Sequence, residues 1–451
     1  MKKLLIAGCG LVVVGVLGVA GLGAYLLSRL DTKKLEKSLV EQGKATLGTD
    51  VRVREMSLSL LSGVTVKGIA VANPAPFAGD LLTADAFVLR YRLLPLLAGR
   101  IEVERLAFEK PALFVAMDAK GGFNYERLAR ASGKGTASAG GAAPVGAAPL
   151  SIVMKSLAVE SGSIQMTDYA KARLMSVEGI DFKSAFELAA GAAQGAGQVT
   201  VAQAGFGDLL FVRNVRAPMS LSKDKVSLSP IQADVAGGSL TGDLKVDLKG
   251  GLRYTTQMTL KGASVKKLLE EAKSAAAVSG TLSASARFEG SGGMPTLRGE
   301  GSADIASCRA ENSRVLGLLA SVLSVPELAH PDFETCRVEF KQAGSRFTTP
   351  VVKLTGDAMR LTGHGSLNLD TSQLDYEMSL ALSPKLFAKV TRPELRGGFQ
   401  AQSDGFQALP FKLYGTTLDP KTDILSRIGK AAATSVAKEQ LGRLFGKKKS
   451  Q

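Results

Sequence analysis

The fold class this sequence predicts is mainly β: one N-terminal apolar helix, then an antiparallel array of strands carrying a few short amphipathic helices. Three observations predict it. Over Leu240 to Lys261, LTGDLKVDLKGGLRYTTQMTLK, apolar or small residues (Leu240, Gly242, Leu244, Val246, Leu248) alternate with polar ones. The alternation resumes after Gly250-Gly251 with Leu252, Tyr254, Met258 and Leu260 against Arg253, Gln257 and Lys261. Successive strand side chains point to opposite faces, so this is a hairpin greasy on one side and wet on the other. Weaker copies of the pattern recur almost to the end of the chain. Finally, the 451 residues include 50 glycines and no tryptophan, as suits many turns and bulges.

Taken in order, Met1 to Lys3 is a short basic start and Leu4 to Leu27 runs without a charge. At 1.5 Å per residue that run is long enough to cross a ~30 Å hydrocarbon core. Ile6-Ala7-Gly8-Cys9 resembles a lipoprotein cleavage box, but most of the apolar run lies beyond Cys9, whereas a lipoprotein's signal core precedes its cysteine. An uncleaved signal anchor is expected, with the body outside. Asp31 to Leu47 follows as an amphipathic helix, with Asp31 or Thr32 as its N-cap. From Val51 the period becomes two: Met56, Leu58 and Leu60, then Val64 and Val66, then Ile69 and Val71 mark short strands. Gly63 and Gly68 sit at the parity shifts, as bulges or tight turns. Phe87 to Leu93 and Ile101 to Val103 alternate in the same way, and Pro95 and Pro111 break the runs.

Residues 131–149 (ASGKGTASAGGAAPVGAAP) are low-complexity and read as a flexible linker. Strand patterning returns over Ile152 to Met166, Val177 to Phe186 and Val199 to Ala204, and strengthens into the hairpin. Ser264 to Lys273 is a short helix capped by Ser264; Leu282, Ala284, Ala286 and Phe288 lie on a strand. Ser313 to Val325 is a helix apolar over more than half its circumference, which must be buried or plug an apolar opening. Strands return around Val338 and Phe340, Val352 and Leu354, and Leu361 to Leu369. Leu374 to Leu382 is the best patterned, and Phe411 and Leu413 lie on the last. Asp423 to Phe445 reads as a basic helix, either resting on an anionic bilayer or solvated.

Chemistry is nearly absent from this pattern. His330 and His364 have no ligand spacing to each other or to cysteine, so neither metal nor cofactor is expected. His330 reads as a turn residue and His364 as a strand-end residue. No phosphate loop or nucleophile elbow occurs, and Gly191 to Gly197 lacks the strand–turn–helix context of a dinucleotide site. The carboxylates sit on wet strand faces, where they keep the edges soluble. An enzyme is therefore not expected. Lys and Arg exceed Asp and Glu by 56 to 41, a net +15 that favours anionic partners. The charge is scattered without interleaved aromatics, so nucleic acid is not the expected partner. Of the three cysteines, Cys308 and Cys336 flank the apolar helix; if their strands pair they form either a disulfide or two buried thiols.

Several segments resemble the AsmA-like family of Gram-negative envelope proteins. They are VRVREMSLSLLSGVTVKGIAVANPAPFAG (Val51 to Gly79) and LLPLLAGRIEVERLAFEKPALFVAMDAKGGFNYERL (Leu93 to Leu128), which ends in a Gly-x-Asn. Further along are Asn312 to Ser324, Leu361 to Leu382 and Leu409 to Ile424. Each motif is weak, and their order is the stronger signal. The resemblance implies an elongated, curved β-sheet groove with an apolar lining, related to bridge-like lipid-transfer proteins that carry phospholipid acyl chains between the two membranes. About 25 strands stacked at ~4.8 Å would reach roughly 120 Å, short for spanning an envelope alone, which brings an outer-membrane or envelope partner into play. From the residues alone, a self-covered sandwich or barrel remains the alternative to a lipid-filled trough.

The organisation expected is a signal anchor (1–30), an N-terminal AsmA-like β region (31–130), a linker (131–149), a continuing β-groove (150–422) and a basic tail (423–451). The function expected is a non-enzymatic inner-membrane protein, anchored once by residues 4–27, with its bulk in the periplasm. It binds phospholipid acyl chains and conducts them between the membranes. The candidate lining residues are Leu240, Leu244, Val246, Leu248, Met258, Leu260, Phe288, Met378 and Leu380. The alternative is a scaffold for outer-membrane protein assembly that binds partner strands at a sheet edge.

Overall fold

A computed structural model of the chain describes residues 32–59, 63–92, 101–131, 152–189, 192–249, 253–274, 277–291, 294–311, 317, 320, 321, 323–391, 393–424, 426 and 427. The anchor expected over 4–27, the linker and most of the basic tail lie outside them. Among the described residues no helix is long and apolar enough to cross a membrane. Strands dominate these residues, 22 in number, and helices are few and short. The chain divides into two units, residues 1–235 with 240–256, and residues 236–239 with 257–451.

In the first unit α1 (Thr32–Leu47) delivers the chain to β1 (Val51–Arg52). Leu47 packs on Val51, Val71 and Leu82, and the Thr49 hydroxyl donates to the Ala72 carbonyl at 3.0 Å, fixing the helix exit against the sheet. β2 (Glu55–Ser59) and β1 both pair antiparallel with β3 (Gly63–Ala72), which pairs with β4 (Asp80–Tyr91). β3 is one continuous strand rather than the two short ones expected. Gly68, at φ 62°, takes up the parity shift inside it without ending it. β4 pairs with β5 (Ile101–Glu109) and β6 (Ala112–Ala116), which behave as one strand broken at Lys110 (φ 44°) and Pro111.

The strictly antiparallel expectation fails at β7 (Ile152–Thr167). Its first half pairs with β5 and its second half with β6, both parallel. A parallel return needs a long connection. It is supplied by α2 (Asn124–Ala131), which sequence periodicity does not predict, and by residues 132–151. α2 is fixed by Asn124, which is fully buried and whose Nδ2 donates to Asn73 Oδ1 (2.7 Å) and the Phe114 carbonyl (2.8 Å). From β7 an antiparallel meander runs through β8 (Arg173–Ala189), β9 (Ala192–Phe206), β10 (Leu210–Ser222) and β11 (Lys225–Val235). The main buried cluster of this unit lies on β3 to β5: Val64, Val66, Phe87, Leu89, Val103, Leu106 and Phe108.

β12 (Gly238–Asp247) and β13 (Arg253–Ser264) are the strands of the alternating segment, and the division between units falls inside both. The Thr256 hydroxyl donates to the Asp243 carbonyl at 2.7 Å. α3 (Val265–Glu271) begins at Ser264, whose hydroxyl accepts from the Lys267 N–H at 3.3 Å, as the sequence predicts.

The second unit continues as an antiparallel meander. Its strands are β14 (Ala277–Gly290), β15 (Arg298–Glu311), β16 (Asp332–Ala343), β17 (Arg346–Thr355), β18 (Met359–Asn368) and β19 (Gln373–Leu382). β19 then pairs with β21 (Gln407–Thr416), which also holds the short β20 (Gln400–Ala401) and β22 (Pro420–Thr422). Short helices α4 (Pro384–Phe387) and α5 (Pro393–Arg396) and the 3₁₀ turn Pro326–Ala329 pack with Ala320, Leu323 and Val325 over one end of this sheet. Leu323, Val325, Leu328, Leu386 and Val390 there are at most 5% exposed. Of the apolar segment before Val325, Ala320 and Leu323 are buried; Leu316, Leu319 and Val322 lie outside the described residues.

Two outcomes check this packing. Leu380, 0% exposed in the capped cluster, becomes a cavity in Leu380→Ala; urea unfolding should show a loss of about 2–5 kcal/mol. Asp118 accepts from the Gly122 and Lys120 N–H groups and pairs with Arg127 at 3.0 Å. The Gly122 N–H first, then Arg127, hold its carboxyl below the usual carboxylate range. A depressed folded-state value stabilises the fold above the unfolded value of ~3.9 and loses that effect as pH falls through the folded one. Thermal denaturation between pH 5 and 2.5 should therefore show a shallower decline for Asp118→Asn than for the parent chain.

Candidate functional site

In an antiparallel pair, directly opposed residues share a face, so the register sorts each unit's side chains into rows that cross the strands. In the first unit one row runs Met154, Phe186, Gly195, Leu221 and Val226 across β7 to β11. The next runs Leu157, Ser184, Gly197, Met219 and Leu228, and a third Val159, Phe182, Val199 and Ala217. Neighbours out of these rows, such as Lys183, Glu187, Gln198 and Arg216, are exposed on the other face. Apart from Ser184 these rows are apolar or glycine, yet Phe182, Phe186, Val199 and Met219 keep part of their surface open.

The second unit repeats the arrangement more sharply. One row runs Phe288, Gly299, Gln342, Phe347, Leu367 and Leu374. The following rows contain Phe340 with Gly301, then Tyr376 with Gly365, then Val338, Val352, Gly363, Met378 and Phe411. The last runs Leu282, Ile305, Cys336, Leu354, Leu361, Leu380 and Leu409. Burial rises along this sequence of rows. Leu380 and Leu409 are 0% and 1% exposed beneath the short helices, whereas Phe288, Phe340, Phe347, Leu367 and Leu374 are only half-buried. The apolar face is closed by protein at one end and uncovered at the other.

The uncovered end is paved with flat rings. Phe340 stacks on Phe288 at 6.2 Å and on Phe347 at 5.0 Å between centroids. For Phe340 and Tyr376 the space comes from an opposed glycine. A Cβ on Gly301 would stand 2.7 Å from Phe340 Cζ and 2.4 Å from the Ser285 carbonyl oxygen. A Cβ on Gly365 would stand 2.5 Å from Tyr376 Cγ. Phe186 opposite Gly195 and Phe288 opposite Gly299 repeat the device. An aromatic side chain lying across a glycine covers the strand's bare backbone and fixes the ring parallel to the sheet. A polar pair on this face is Thr349 Oγ1 with Tyr376 OH, 3.0 Å apart, each satisfying the other.

The sequence signal for this device is Gly-x-Gly inside a strand: Gly195-Ala196-Gly197, Gly299-Glu300-Gly301 and Gly363-His364-Gly365. Sequence reasoning missed it, weighing the first only as a nucleotide loop. Residues 192–197 instead open β9, and His364 stands mid-strand in β18 rather than at a strand end, facing Glu377 at 3.8 Å on the polar side.

The nine candidate lining residues distribute unevenly. Leu240, Leu244, Val246 and Leu248 lie on or just after β12 and belong to the first unit. Leu248 is the most open of these, at 38% exposure. Met258 and Leu260 on β13 are half-buried, as is Phe288 on β14. Met378 and Leu380 belong to the capped cluster, where protein already covers them. On the polar face the charges are mutually paired: Arg337 reaches Asp304 (3.1 Å) and Glu339 (2.9 Å), which hold its guanidinium charged still more firmly than usual. Among the described residues no group of three His, Cys, Asp or Glu side chains is placed to hold a metal.

If the ring paving depends on bare glycines, Gly301→Val should push Phe340 off its stack and cost ~1–3 kcal/mol, read as a lowered Tm by calorimetry. An unchanged Tm would mean that the strand absorbs the new methyl groups without moving the ring.

A family model described as the AsmA family matches residues 1–225 and 210–297. No curated protein matches the chain.

Proposed function

We propose, from the premise that this chain belongs to the AsmA family, that it is an envelope protein whose half-covered apolar sheet faces bind phospholipid acyl chains and conduct them between membranes. The observation that carries the reading is the uncovered end of the second unit's face, where stacked Phe288, Phe340 and Phe347 meet no covering layer among the described residues. An apolar face left in water is unfavourable, and a ligand with long methylene chains removes it, each buried CH₂ contributing ~0.8 kcal/mol. From β14 to β21 there are six inter-strand steps, about 29 Å at ~4.8 Å each. That is close to the ~30 Å hydrocarbon thickness that two opposed acyl chains fill in a bilayer.

The chain's own residues divide the work by face. The apolar rows receive the chains, while the other face, with paired Arg337, Asp304, Glu339, Arg309 and Asp332, stays in water. Flat rings offer contact without a defined pocket, which suits a ligand that slides rather than one that is locked. In this reading residues 4–27 anchor the protein once in the inner membrane of a Gram-negative cell and the sheet units lie in the periplasm. No bond is made or broken, and no residue is assigned a catalytic role.

The test is native mass spectrometry of the gently extracted full chain, paired with photocrosslinking. A photoreactive residue at Phe288, Phe347 or Leu374 should capture phospholipid, and one at Arg287 or Lys353 on the polar face should not. Phe340→Asp with Phe347→Asp should lower the lipid-bound fraction about tenfold or more. Equal capture from both faces, or lipid-free protein retaining a protein partner, would overturn the lipid reading; the second result would favour the scaffold.

A further inference from the structure

Cys308 and Cys336 take no part in the apolar face's ligand role, yet the fold brings them together. They lie on the adjacent antiparallel strands β15 and β16, where Cys336 opposes Ile305 and Cys308 opposes Phe333. Strict alternation would put residues 305 and 308 on opposite faces. Ser307, in the left-handed region at φ 53°, breaks the alternation and turns Cys308 onto the apolar face. On β16 the spacing from Phe333 to Cys336 makes the same shift, since both are buried in that cluster. Each thiol is 5% exposed, and the two are within hydrogen-bonding reach of each other as free thiols.

We propose that Cys308 and Cys336 are an oxidisable pair whose disulfide staples β15 to β16 beneath the helical cover of the second unit. The step balances as thiol–disulfide exchange with an external disulfide, either a small molecule such as oxidised glutathione or a dithiol oxidase. Each cysteine gives up its proton, the pair gives up two electrons and one Sγ–Sγ bond forms. The external disulfide is split and leaves as two thiols. The environment is asymmetric: the hydrogen bond from Cys336 holds the Cys308 thiol below its ordinary value, while the Cys336 proton is held more tightly. One of the two thiols attacks the external disulfide first and the other resolves the mixed disulfide. Because Leu323, Val325 and Leu328 pack in the same buried cluster, the oxidant reaches the pair before this cover closes, or only when it opens. Oxidation thus belongs to folding of the unit, and the finished staple shortens the free chain between the two strands to a closed loop.

The full chain, refolded from urea in a glutathione redox buffer, gives the test. After denaturation and alkylation without reductant, trypsin should release peptides 299–309 and 315–337 as one cross-linked species. Cleavage after Arg298, Arg309, Arg314 and Arg337 defines them. Adding dithiothreitol should separate them and lower Tm by about 5–10 °C, the effect of opening a loop of this length in a unit of this size. Cys308→Ser and Cys336→Ser should each abolish the cross-linked species. Folded, reduced protein should oxidise at least tenfold more slowly than protein oxidised during refolding. Alkylation of both cysteines without reductant, or a cross-link from either to Cys9, would overturn the proposal. The peptide map does not depend on lipid binding, so it separates this inference from the functional reading.

Discussion

A strand ladder presents its side chains on two faces, and one-sided alternation commits a protein to covering the apolar one. In the second unit that commitment is met unevenly. Where Leu380, Leu382 and Leu409 lie, the short helices and the 3₁₀ turn contribute Leu323, Leu328, Leu386 and Val390, and the result is an ordinary dry core. A few positions further along the strands of the same sheet, Phe288, Phe347 and Leu374 remain half-open. Covering one end anchors the sheet and leaves the remainder of the strands uncovered, so stability is drawn from only part of their length.

The glycines opposite Phe186, Phe288, Phe340, Met378 and Tyr376 follow from the same constraint. A face that must stay smooth and partly wet cannot rely on interdigitated aliphatic packing, which requires a second layer to fill its gaps. Rings laid flat over glycine shield the backbone from water without raising a ridge. Glycine weakens a strand by itself, through entropy and lost packing, and the ring above it returns part of that loss. The device joins local backbone chemistry to the smoothness of the surface.

The first unit meets its constraint differently. Its dry core sits on β3 to β5, and β7 is added in parallel to both halves of the β5–β6 strand. The buried Asn124, hydrogen-bonded to Asn73 and the Phe114 carbonyl, ties α2 to the sheet at the start of that return. This gives the Gly122-Phe123-Asn124 of the family-like segment a structural role: a tight turn followed by a buried side chain that satisfies two polar partners at once.

The sequence by itself determined the period of nearly every strand, the cap at Ser264, the amphipathic α1 and the absence of nucleotide and nucleophile motifs, because these are local consequences of side-chain alternation and capping chemistry. The family resemblance was also legible in the order of short Gly, Leu and Pro motifs. Tertiary structure alone decided the rest. Parallel pairing at β7 depends on where a long connection returns, which no local pattern encodes. Gly68 reads as a break in alternation, but only pairing shows that the strand passes through it. Met378 and Leu380 carry the same alternation as Phe288, yet the former pair is covered and the latter half-open. Whether an apolar strand face ends as core or as binding surface is set by what packs over it, and that is a property of distant chain segments rather than of the strand.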